Sequence, residues 1–231
     1  MGYLKLTRAR IILACFLISS LLLVQYPGID ISIARMFFHN GFFAEMPWWV
    51  SLCRGLVSGF LFLTMACLLG IYAFNRISKQ KLGGVDGKKV LYLILVLVVG
   101  AGLIVNVMFK DNFGRARPRH MVEFGGSKLF TPAFVVSREC EKNCSFSSGE
   151  GAGAFFSLAL ALALSRKRST LLVAFGFGSL VSLSRIASGA HFFSDTVVSF
   201  FVMLIVADVL YYYLLVPKPA PVPDAVALVR V

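Results

Sequence analysis

Long apolar runs separated by short polar clusters organise this chain. Six runs stand out, at roughly 10–26, 48–74, 90–109, 150–164, 171–187 and 195–215. They are continuous and do not alternate, which predicts helices and argues against a β-barrel. A helix needs ~20 apolar residues to cross the hydrocarbon core, with ~17–25 as the working range. The first, second, third and sixth runs meet this, whereas the fourth and fifth are shorter and depend on flanking residues. The expectation is an all-α fold, an integral membrane six-helix bundle forming a single domain over 1–231. The first run has a basic start (Lys5, Arg8, Arg10), like a signal peptide. Gln25-Tyr26-Pro27-Gly28 offers no small-x-small cleavage site, so it reads as a retained anchor. Residues 216–231, with Pro217, Pro219, Pro221 and Pro223, read as a flexible extended tail. No internal repeat is visible.

Composition agrees with a membrane protein: 58% of residues are hydrophobic, 15% are charged, and the mean hydropathy is +0.82. The net charge of +12 says less than its distribution. The N-terminus holds Lys5, Arg8 and Arg10, loop 75–89 holds five cations, and turn 165–170 holds Arg166, Lys167 and Arg168. Loop 27–47 holds Arg35 alone and loop 188–194 holds none. Positive loops face the cytoplasm, so the N-terminus, loop 75–89, turn 165–170 and the C-terminus are expected there. Loop 110–149, with seven basic residues, falls on the opposite side and departs from the rule. Its cations call for another purpose. Because the charge is split between two membrane faces, a nucleic-acid partner is not expected.

Cysteines fit this topology. Cys15, Cys53 and Cys67 sit in apolar runs, where a buried inert thiol is the default. Cys140 and Cys144 sit four apart in the outer loop, where a disulfide persists. They are a disulfide candidate, and the alternative is two free thiols. A zinc site needs more ligands than this pair.

Three segments at the ends of the apolar runs carry the chemistry: Lys110 to Pro118, with Lys110 and Arg117 at K-x6-R-P spacing; Ser147-Ser148-Gly149-Glu150; and Ser184 to Asp195, an S-R-x5-H-x3-D pattern. His191 and Asp195 are four apart and share a face if helical. A carboxylate accepting from one imidazole nitrogen leaves the other free as a nucleophile. Alone, the pair would be an ordinary polar contact, but at the mouth of a membrane span ionisable groups are costly and functional. Lys110, Arg117 and Arg185 suit the oxygens of a phosphoryl group, which is held by positioning and neutralisation. The bland alternative for each is snorkelling to the interface. Arg115 and His120 are possible additional members. Ser148 and Gly149 sit where a helix N-terminus seats phosphate, or where Ser147 or Ser148 serves as an N-cap. No carboxylate cluster suits a metal, so neither metal nor other cofactor is expected. Trp48 and Trp49 open the second span as an interfacial belt would. Arg54 either snorkels outward or adds a cation to the site, and Asn106 shares a face with Lys110. Asp208 reads as a structural polar contact.

These motifs resemble the type 2 phosphatidic acid phosphatase (PAP2) superfamily, whose pattern is K-x6-R-P, P-S-G-H and S-R-x5-H-x3-D. The first and third motifs match at every defining position. The resemblance implies a metal-independent lipid phosphatase in which Lys110, Arg117, Arg185, Ser148 and Gly149 hold phosphate. His191 then forms a phosphohistidine, oriented by Asp195. The second motif departs: Ser147 stands where the family has proline, and Glu150 where it has the histidine that protonates the leaving group. Glu150 is the expected acid, and the alternative is that it orients another group such as His120. A low-dielectric site favours its protonated form and neighbouring cations its ionised form.

A narrower resemblance, over about 100–195, is to bacterial lipid A 4′-phosphatases. It rests on Gly102 to Asn106, Phe109-Lys110-Asp111, Glu139 to Phe146 and Gly189 to Asp195. It implies a lipid A substrate and an active site in the periplasmic loops of the bacterial inner membrane. The alternatives are a lipid A 1-phosphatase, an undecaprenyl diphosphate or phosphatidylglycerol phosphate phosphatase, a lipid phosphotransferase, or a catalytically silent lipid-binding protein. The oligomeric state is not readable.

Overall fold

The computed structural model describes residues 2–217. The tail expected at 216–231 therefore lies, from residue 218 on, outside the described residues. The helices are α1 (Gly2–Gln25), α2 (Gly28–Arg35), α3 (Pro47–Ser78), α4 (Gly87–Leu95), α5 (Gly149–Leu164), α6 (Arg168–Ala187) and α7 (Phe193–Leu215). Helix α4 runs on without a break into a wider π-type helix over Val96–Lys110. No sheet forms among the described residues.

Among the described residues, five helices are long and apolar enough to cross a membrane: the stretches Arg8–Gln25, Pro47–Ser78, Gly87–Lys110, Arg168–Ala187 and Phe193–Leu215. This corrects the expected count of six. Helix α5 has 16 residues, so it rises about 24 Å, short of a hydrocarbon core of about 30 Å. It ends at Ser165, where the chain turns through Arg166 in a left-handed conformation. Its apolar character has another source: twelve of its residues, from Gly151 to Ala163, are buried.

Helix α5 is the hub of the bundle and packs on α3, α6, α7 and the Val96–Lys110 segment. Phe155, Phe156, Leu158 and Leu162 share the main core with Leu93 of α4, Val96 and Val105 of the Val96–Lys110 segment, and Met203 and Val206 of α7. Small residues let helices approach closely in an apolar medium. At Gly178 of α6 the Phe155 ring lies where a Cβ would stand. On the outside of the bundle, α1 packs on α7, and Arg8 pairs with Asp208 at 2.9 Å.

Residues 25–47, 110–149 and 187–193 gather at one end. Ala44 N–H donates to the Ala187 carbonyl (3.1 Å), Arg119 N–H to Gly189 (3.0 Å) and Ser145 N–H to Arg115 (2.9 Å). A second cluster seals this end, with Phe42, Ala116, Met121, Phe124 and Phe192 at its centre. Helix α2, which the apolar pattern did not indicate, packs against α7. Lys88, Lys89, Arg166 and Leu215 come together at the opposite end.

Candidate active site

Four helix ends converge beneath the long loop: the Val96–Lys110 helix delivers the first segment, α5 the second, and α6 and α7 bracket the third. Arg185 lies in the last turn of α6, Glu150 in the first turn of α5, and Asp195 in the first turn of α7. His191 lies in the short connection between α6 and α7 and is fully buried, as are Arg185 and Asp195.

Nδ1 of His191 lies 2.7 Å from the carbonyl oxygen of Ser145. A carbonyl only accepts, so Nδ1 carries the proton and Nε2 keeps its lone pair. The sequence pattern made Asp195 the partner of this nitrogen, but its Oδ2 stands 3.7 Å away, beyond hydrogen-bonding distance. The carboxylate is already engaged. It accepts from Arg115 Nη1, from Ser145 Oγ and, at 2.8 Å, from the N–H of Phe192 at the start of α7. Asp195 therefore holds His191 through Ser145, one layer removed.

Arg115 is a buried anchor. Its Nε donates to the Thr131 carbonyl (2.7 Å), Nη1 to Ser194 Oγ (2.8 Å) and Asp195, and Nη2 to Asp30 (2.7 Å). Its guanidinium stacks 4.2 Å from the Phe192 ring centroid. All three nitrogens are in use, which leaves none aimed at a ligand. Asp30 of α2 also accepts from the Ser194 N–H at 2.8 Å, tying α2 to the α7 N-terminus. Sequence reasoning missed Asp30 and Ser145. The only signals were a lone carboxylate flanked by Ile29 and Ile31, and a serine next to Cys144.

Arg185 and Arg117 are arranged differently. Nε, Nη1 and Nη2 of Arg185, Nη1 of Arg117 and Nε2 of His191 are buried with no hydrogen-bond partner in the chain. Arg117 is gripped from one side only, with Nε and Nη2 donating to the Asn143 carbonyl (3.3 and 2.8 Å) and Nη2 also to Asn143 Oδ1 (3.0 Å). Burial pushes the Arg117 guanidinium down to about 10, Arg119 and Arg185 add to this, and Glu150 opposes it. Buried donors of this kind bind anions strongly.

Glu150 stands among these cations. Its Oε1 lies 3.3 Å from Arg54 Nε and 3.6 Å from Arg185 Nη2, and its Oε2 lies 3.5 Å from His191 Nε2. Arg54 thus turns toward the site. Ser148 Oγ caps α5 by accepting from the Gly151 N–H (3.2 Å), and the Ser148 carbonyl accepts from Ser199 Oγ (2.9 Å). A Cβ on Gly149 would fall 2.9 Å from Asn106 Oδ1 and 3.2 Å from Lys110 Nζ, which places the Lys110 ammonium against the start of α5. His120 makes no contact with Glu150: it is exposed, and its Nε2 accepts from Arg119 Nε at 3.4 Å. Partial burial, with Arg119, Arg117 and Lys128 nearby, pushes it below its ordinary value. Cys140 and Cys144 are joined in a disulfide. Among the described residues no three His, Cys, Asp or Glu side chains gather as a metal site.

A buried imidazole, oriented through one nitrogen, faces a cluster of cations inside a helical bundle, an arrangement suited to a membrane hydrolase. The chain belongs to the PAP2 superfamily, whose profile matches residues 91–217. It is 31% identical over 185 residues to a lipid A 4′-phosphatase of Francisella tularensis subsp. novicida (strain U112), covering 74% of this chain and 80% of that one. It is also 31% identical over 112 residues to a lipid A 4′-phosphatase of Rhizobium leguminosarum, covering 48% of each chain. For the lipid A 4′-phosphatase of Rhizobium etli the identity is again 31% over 112 residues, spanning 48% of this chain and 44% of the relative. No solved structure matches the chain.

Proposed function

We propose that this protein removes a phosphate monoester from a membrane lipid, the 4′-phosphate of lipid A, through a phosphohistidine intermediate. The observation that carries this reading is the set of unpartnered buried nitrogens on His191, Arg185 and Arg117. A phosphoryl group offers three oxygens to such donors and a phosphorus to the lone pair of Nε2. In this reading, Lys110, Arg117 and Arg185 hold the oxygens, helped by the N-terminus of α5 at Ser148 and Gly149. Nε2 attacks phosphorus, the ester P–O bond breaks, and Glu150 gives its proton to the departing lipid oxygen. Glu150 then takes a proton from water, whose oxygen attacks phosphorus. The N–P bond breaks, releasing inorganic phosphate and restoring His191.

An apolar groove supports a lipid substrate. About 640 Å³ in volume, it lies between α3 and α6 and is lined by Trp48, Trp49, Leu56, Leu180 and Leu183. Its inner wall includes Cys53 and Ser184, the chain neighbours of Arg54 and Arg185. Trp49 Nε1 donates to Ser184 Oγ at 3.1 Å, fixing this wall. An acyl chain in the groove would bring its head group to the cations. The lipid A 4′-phosphatases among the relatives support lipid A as that head group. The loop charges support cytoplasmic termini and a periplasmic site in a bacterial inner membrane.

Phosphate loss from a bis-phosphorylated lipid A precursor tests this reading. Membranes carrying wild type or His191→Ala are assayed without added metal, and the product is fragmented by mass spectrometry. Wild type alone should remove the 4′-phosphate. Loss of the 1-phosphate would overturn the regiochemistry, and no loss would overturn lipid A as substrate.

A further inference from the structure

The five-residue ring closed by Cys140–Cys144, together with the residue that follows it, touches both halves of the site. Upstream, Ser137 Oγ donates to the Gly114 carbonyl at 2.7 Å, and its N–H to the Phe113 carbonyl at 2.9 Å, so the ring leaves from a fixed point. Within the ring, Asn143 adopts a left-handed conformation (φ 53°), one that asparagine tolerates better than most residues. That turn aims both its carbonyl and its Oδ1 at Arg117. Only Nη1 of Arg117 is left without a partner. Immediately after the ring, Ser145 gives its carbonyl to His191 Nδ1 and its hydroxyl to Asp195. The ring is exposed at Glu141, Lys142 and Asn143, and the chain is buried from Cys144 onward. No helix or strand holds this segment; the disulfide closes it on one side, and the Ser145 N–H bond to the Arg115 carbonyl (2.9 Å) fixes it on the other.

We propose that the disulfide ring is a positioning element of the phosphate site, with Asn143 aiming Arg117 at the phosphate and Ser145 setting the tautomer and direction of His191. The proposal rests on the phosphatase reading above. Misplacing reacting groups by about 1 Å costs roughly a hundredfold in rate, so a ring that governs two contacts acts strongly without touching substrate. The two contacts leave different signatures. Asn143 governs a binding cation and acts on phosphate affinity. Ser145 governs the nucleophile and acts on turnover.

The test uses detergent-purified full-length protein, with lipid phosphate turnover and the Tm shift given by orthovanadate as separate readouts. Replacing Cys140→Ser and Cys144→Ser together should lower kcat and raise KM, each by about tenfold or more. Ser145→Ala should lower kcat by about tenfold with KM unchanged, and Ser145→Thr, which keeps the hydroxyl, should restore it. Should the double variant fail to fold, folded wild type treated with a dithiol replaces it. The reagent supplies two electrons and two protons, leaves two thiols and itself becomes a disulfide. The reduced enzyme should lose activity and the vanadate shift while remaining folded. A disulfide-free protein with wild-type kcat, KM and vanadate shift overturns the proposal. Wild type that neither turns over lipid phosphate nor responds to vanadate overturns the phosphatase reading instead.

Discussion

Glu150 Oε2 lies 3.5 Å from Nε2 of His191, too close to admit a phosphorus atom and its oxygens between them. In the proposed reaction the carboxylate occupies the space that the phosphoryl group enters, held there by Arg54 and Arg185. It therefore has to withdraw as phosphate arrives, and the negative charge of the phosphate then favours a shared proton.

Two opposite effects of one substitution follow. Glu150→Gln should lower kcat on lipid phosphate by about a hundredfold and tighten orthovanadate binding, because a competing anion is gone. An aryl phosphate with an acidic leaving group needs no proton and should lose less. Equal losses on both substrates, or near wild-type turnover, would remove Glu150 as the acid.

His191→Ala should abolish turnover, with a loss of at least about a thousandfold. Wild type quenched in alkali during turnover of labelled substrate should carry acid-labile phosphate, and the variant should carry none. Label that resists acid would point to an oxygen ester and a different nucleophile.

The two buried arginines should separate by measurement. Arg115 neutralises Asp30 and Asp195, and breaking a buried pair costs about 3–5 kcal/mol. Arg115→Ala should lower Tm sharply. Arg185→Ala removes a cation without a dedicated hydrogen-bond acceptor, so it should leave Tm close to wild type and depress kcat/KM. A reversal of this order would exchange their roles.

Gly149→Ala tests the seat at the start of α5. The added Cβ meets Asn106 Oδ1 and Lys110 Nζ and should push the ammonium off its site, raising KM about tenfold with less effect on kcat. An unchanged KM would take Lys110 out of phosphate binding.

Much of the framework was legible because apolar runs in a membrane chain are continuous and their ends carry the ionisable residues. The fourth run misled in one respect: burial inside protein and burial in lipid select the same residues, so composition could not tell α5 from a lipid-facing span. Within the site, spacing placed Lys110, Arg117, Arg185 and His191 near one another. It could not distinguish Arg185, whose donors make no hydrogen bond within the chain, from Arg115, whose donors are consumed by Thr131, Ser194, Asp30 and Asp195. That difference depends on α2 reaching the α7 N-terminus, a contact between residues 164 positions apart. Ser145 meets His191 through its backbone carbonyl, which every residue possesses, so that contact carried no signal in the residue's identity.

Helix α3 has 32 residues and is largely uncovered by protein, whereas α5 is sheathed by its neighbours. Bilayer thickness therefore acts on them unequally. A thinner membrane tilts the long helix to relieve hydrophobic mismatch, carrying Arg54 and one wall of the groove with it. The short helix feels no such pull, and Ser148, Gly149 and Glu150 stay in register with His191. On the phosphatase reading, the lipid environment would thus retune how substrate is admitted without disturbing the atoms that react.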